Sequence, residues 1–66
     1  MNLVVNGERR EIDRGKSVRE ILAGLGYEPA AVAVALNLEF VPRSAYDETF
    51  PEEGDELEIV RPQQGG

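Results

Sequence analysis

Apolar residues fall in short clusters whose spacing changes along the chain, and each spacing predicts an element. Leu3-Val4-Val5 reads as a strand. Asn6-Gly7 follows, the strongest short hairpin signal, because both central residues of a type I′ turn need positive φ. Arg9 to Asp13 then returns as a second strand with Ile12 as its apolar member. Ser17-Val18-Arg19-Glu20 fits a capping box, in which the Ser17 hydroxyl and the Glu20 carboxylate each accept from the other's backbone N–H. Val18, Ile21, Leu22 and Leu25 recur at helical spacing, and Gly26 suits a left-handed cap, so a helix is expected at about 17–25.

Ala30 to Leu36 is continuously apolar and could be helix or buried strand; its alternation of valine and alanine favours a central strand. Asn37-Leu38-Glu39 reads as a turn, Phe40-Val41 as a short strand stopped by Pro42, and Ser44 to Glu48 as a single helical turn. Pro51 to Asp55 is a turn cluster before a last strand in which Leu57 and Ile59 alternate with Glu56, Glu58 and Val60. Hairpin, helix, strand, short strand, last strand is an α+β order in which one helix crosses a mixed sheet of four to five strands. That order resembles the β-grasp (ubiquitin-like) fold, which implies that the first and last strands lie side by side and parallel at the sheet centre. The expected core is Leu3, Val5, Ile12, Val18, Ile21, Leu22, Leu25, Val34, Leu36, Val41, Leu57 and Ile59. Residues 1–61 read as one domain and residues 62–66, without an apolar anchor, as a flexible tail.

Size and composition narrow the function. A chain of 66 residues is near the lower limit for unaided folding, with about 3–5 kcal/mol of net stability to expect from its core. The chain has no Cys and no His, so it lacks thiolate ligands, the commonest metal ligand and the commonest general base. Both absences argue against an enzyme working alone. Glu52, Glu53 and Asp55 read as a charged turn rather than a metal site, and no glycine-rich phosphate loop is present. The net charge of −6 is spread along the chain, which disfavours nucleic acid and fits either plain solubility or a basic protein partner. The N-terminal residues do not form a signal peptide and no stretch is apolar for long enough to span a membrane, so a cytoplasmic location is expected.

Gly65-Gly66 is the remaining candidate for chemistry. Without Cβ atoms, a Gly-Gly end can thread a narrow channel into another protein's active site. Its carboxylate becomes an electrophile once adenylated, and sulfide or a persulfide can then attack it. Taken alone, the dipeptide favours the plainer reading of a frayed, inert terminus, since chain ends are usually disordered.

The order of motifs makes the reading specific. Met1 to Glu8, Ser17 to Leu22, Ala35-Leu36-Asn37, Val41-Pro42-Arg43, Gly54-Asp55 before Leu57 and Ile59, and Gly65-Gly66 together resemble the ThiS family, the sulfur carriers of thiamine biosynthesis. The resemblance implies that an E1-like (ThiF-type) adenylating enzyme uses ATP to activate Gly66. A sulfur donor then forms the thiocarboxylate, and a ThiG-type thiazole synthase accepts the sulfur. In this reading Gly66 is the modified residue, Gly65 lets the tail into the partner's site, and the chain binds no cofactor itself. Carriers for molybdopterin, tRNA thiolation or cysteine synthesis share the fold and the ending, and a non-carrier β-grasp interaction module is the alternative of another class. By alternation Val4, Ala33, Ala35, Phe40 and Val60 point away from the helix. Val4, Phe40 and Val60 are therefore candidates for a partner-docking face with an acidic rim, against the alternative of ordinary scattered surface residues.

Overall fold

The computed structural model describes residues 1–62. Strand β1 (Asn2–Val5) turns into β2 (Glu8–Glu11), helix α1 (Val18–Gly24) crosses the sheet, and β3 (Ala33–Leu36), β4 (Glu39–Val41) and β5 (Glu56–Val60) complete it. The sheet order is β2-β1-β5-β3-β4. The first and last strands are parallel neighbours at its centre, Val4 opposite Glu56 and Val5 opposite Leu57. The other pairs are antiparallel. This is the β-grasp arrangement expected from the sequence.

Local chemistry sets each boundary. Asn6 and Gly7 adopt φ of 51° and 83°, as a type I′ turn requires. Ser17 and Glu20 make both bonds of the capping box, the Glu20 N–H to Ser17 Oγ at 3.2 Å and the Ser17 N–H to Glu20 Oε1 at 2.9 Å. The helix ends in a Schellman motif: Gly26 has φ of 89°, its N–H donates to the Ala23 carbonyl, and the Tyr27 N–H donates to the Leu22 carbonyl. Val18, Ile21 and Leu22 bury the face that packs on Leu3, Val5, Val34, Leu57 and Ile59.

The structure corrects four details. The second strand ends at Glu11 rather than Asp13, and every residue of it is exposed, because β2 is a sheet edge. Ile12 follows that strand and is only half-buried, as are Leu25 at the helix end and Leu36 beside a hairpin turn. The apolar run after Pro29 is not strand throughout: Pro29–Ala31 is a 3-10 turn and β3 begins at Ala33. Proline starts such a turn readily because its fixed φ suits the first position and its missing N–H is not needed there. The short helical turn lies at Arg43–Ala45 and not at Ser44 to Glu48. It swings Tyr46 inward, where the ring is 1% exposed and its hydroxyl donates to the Val32 carbonyl at 3.1 Å. Val32 and Tyr46 thus join the core beyond the residues that periodicity picks out.

Tyr46→Phe strips the Val32 carbonyl of its partner and is expected to cost about 1–2 kcal/mol, read as a lower urea midpoint at unchanged slope. Separately, Glu20 and Glu53 are held below the usual carboxylate range, chiefly by the backbone N–H groups of Ser17 and Asn2. A lowered folded pKa gives stability that is complete above the ordinary carboxylate value and is lost as pH falls through the folded values. Acidification therefore lowers the melting temperature, and a Glu20→Gln, Glu53→Gln double variant, which keeps the acceptors without titrating, shows a shallower loss.

Candidate functional site

Strand β5 carries the chain out of the sheet. On one side it pairs with β3 along its length, from Leu57 opposite Leu36 to Val60 opposite Ala33. On the other side the backbone ladder with β1 stops early, because β1 turns away at Asn6 after that residue's N–H has bonded the Leu57 carbonyl at 2.9 Å. The Asn6 side chain then continues the pairing. Its Oδ1 accepts from the Ile59 N–H at 2.7 Å, and its Nδ2 donates to the Ile59 carbonyl at 3.1 Å. Two residues on, the Arg61 guanidinium sits over the Tyr27 ring, 5.4 Å from its centre.

The start of β5 is held by a matching device. Asn37 and Leu38 form the tip of the β3–β4 hairpin with φ of 51° and 70°. Asn37 Oδ1 accepts from the Glu56 N–H at 2.9 Å, and its Nδ2 donates to Asp55 Oδ1 at 3.2 Å. Sequence reasoning reads both asparagines as turn residues, which they are. Their grip on β5 is hidden from it, because a type I′ turn alone accounts for asparagine at either position. Tyr27 and Arg61 go unnoticed for a similar reason: they stand 34 positions apart, and only the fold brings them together.

The outer face of the sheet holds Val4, Ala33, Ala35, Phe40 and Val60 as alternation requires. Phe40 is 72% exposed and Val60 57% exposed, whereas Val4 is half-buried. Acidic residues do not merely rim this face. Glu56 and Glu58 point outward from the central strand, Glu58 directly opposite Ala35, so carboxylates run through the middle of the apolar patch. Arg9, opposite Val4, is a basic residue at its edge. Gly65 and Gly66 lie outside the described residues. Among the described residues no cluster of three or more potential metal ligands occurs, and no helix is long and apolar enough to cross a membrane.

Comparison with known proteins agrees with this architecture. The sequence model of the ThiS family matches residues 3–66. A crystal structure of the thiamine biosynthesis protein ThiS from Geobacter metallireducens superposes with a TM-score of 0.86 at 36% identity, covering the whole of both chains. The sulfur carrier protein ThiS of Escherichia coli is 27% identical over the full length of both proteins. A thiazole synthase of Paramagnetospirillum magneticum is 45% identical over 60 residues, and one of Magnetococcus marinus 35% identical. The chain spans only 18% of the length of each of these two proteins. Matched from β1 through Gly66 and sharing its fold with a solved relative over the whole length, the chain belongs to the ThiS family, the small sulfur carrier proteins of thiamine biosynthesis.

Proposed function

We propose that Gly66 carries the sulfur as a C-terminal thiocarboxylate and that the chain is a co-substrate of two partner enzymes. The observation that carries this reading is the family match running through residue 66, beside a full-length relative named as a sulfur carrier. The chemistry begins with attack by the Gly66 carboxylate on the α-phosphorus of ATP. A P–O bond forms, pyrophosphate leaves, and the poor electrophile becomes an acyl-adenylate. Hydrosulfide then attacks the acyl carbon and AMP departs with the original oxygen, leaving the thiocarboxylate. Where a protein persulfide is the donor, the first product is an acyl disulfide, and a thiol must reduce it to release the thiocarboxylate. An E1-like, ThiF-type enzyme binds the ATP, and Gly65 gives the end the slenderness its channel requires.

A thiazole synthase takes the sulfur. Support comes from the two thiazole synthases that each contain a stretch similar to this chain, since a single polypeptide then holds both carrier and acceptor. The outer face of the sheet docks the partners: Phe40 and Val60 offer apolar contact, and Glu56 and Glu58 select a basic counter-surface. The dependence on ATP and on a reduced sulfur donor fits a cytoplasmic site of action.

Incubation with the adenylating enzyme, ATP and a sulfide source is expected to replace one oxygen by sulfur at Gly66, seen in the intact mass. Deleting Gly66 abolishes the shift without changing the circular dichroism spectrum; a truncated chain that still supports thiazole formation would overturn the reading. Phe40→Asp or Val60→Asp, each adding a charge to an exposed position, leaves the fold intact and raises the KM for the carrier about tenfold. Unchanged KM in both folded variants would remove the outer face as the docking surface.

A further inference from the structure

We infer that Asn6 is a positioning residue for the transfer chemistry: its side-chain amide sets the direction in which the chain leaves β5 toward Gly66. The inference rests on the carrier reading and adds a residue to it. Residues 57 and 59 turn their backbone groups toward β1. Leu57 finds the backbone N–H of Asn6 there, but Ile59 lies past the point where β1 turns away. A strand end with a free N–H and C=O on one side frays. The Asn6 amide presents one acceptor and one donor side by side, the same pair a neighbouring strand would present, and takes both groups of Ile59. It does so from across 53 residues of sequence, so the next-to-last residue of β5 is tied to the first turn of the fold.

The Arg61–Tyr27 contact adds a second hold two residues further on. Tyr27 is itself fixed by the Schellman turn that ends α1. Together the two contacts define where and in what direction the segment from Pro62 to Gly66 begins. A reacting group has to arrive within a fraction of an ångström of its partner, and small misplacements cost large factors in rate. Loss of the Asn6 amide therefore acts on the rate of activation and not on docking, because it removes no side chain from the outer face that carries Phe40 and Val60.

The two asparagines supply a matched experiment. Asn6→Gly and Asn37→Gly each remove a side-chain amide that grips β5, and glycine keeps the left-handed backbone that both turns need. Only Asn6 grips the exit end. With the E1-like enzyme and ATP, pyrophosphate release is followed at a temperature where both variants are folded. For Asn6→Gly, kcat is expected to fall about tenfold at unchanged KM, while Asn37→Gly keeps both parameters. Asn6→Asp, which retains the acceptor for the Ile59 N–H but sets a carboxylate oxygen against the Ile59 carbonyl, also lowers kcat at unchanged KM, and it serves as the test if Asn6→Gly does not fold. Equal effects of the Asn6 and Asn37 variants, or an unchanged kcat for a folded Asn6 variant, would overturn the inference and leave the carrier reading standing. No pyrophosphate release from the wild-type chain would instead remove the carrier reading, and this inference with it.

Discussion

Everything in this molecule depends on how its last strand is held. β5 enters the middle of the sheet parallel to β1 and antiparallel to β3, so the last strand of the described residues has a neighbour on each side. Parallel pairing of the two ends needs a crossover between them, and the capped helix provides it. Leu57 and Ile59, at 0% and 4% exposure, anchor the strand in the core, while its alternate residues stay available on the outer face. A small domain with little stability to spare thereby invests it at the point from which the tail departs.

The division of labour follows from composition. A chain without cysteine or histidine has few means of doing chemistry by itself, but a carboxylate needs neither if another protein activates it. In the proposed function the reactive group is the Gly66 carboxylate and a partner enzyme supplies the chemistry. The domain can then be recognised by its surface while the cargo is handled elsewhere. Under the proposed docking, the carboxylates of Glu56 and Glu58, placed among Val60, Ala35 and Phe40, would make that surface selective as well as adhesive.

Much of the fold is legible in the sequence because its boundaries rest on local rules. Asn6-Gly7, the Ser17–Glu20 box and Gly26 each specify a backbone conformation within a few residues, and each is found as expected. The outward alternation of β5 is equally local. Tyr46 is not legible, since a single aromatic in a polar stretch carries no period, and its burial depends on the 3-10 turn before it. The same holds for the grip of Asn6 on Ile59 and of Tyr27 on Arg61, which join residues far apart in sequence. Val4, Phe40 and Val60, the residues proposed for docking, fall on one face by periodicity, whereas the placement of Glu56 and Glu58 among them comes from the strand register. Gly65 and Gly66 are read from sequence and family alone, beyond the described residues.

The most direct test is to isolate the chain from cells growing without external thiamine and to determine the state of its C-terminus by fragment mass spectrometry. The account predicts a fraction bearing sulfur in place of one oxygen, with the substitution confined to Gly66 and absent when the adenylating enzyme is deleted. A chain bearing only an ordinary carboxylate in cells that depend on it for thiamine, or sulfur found at any other residue, would contradict it.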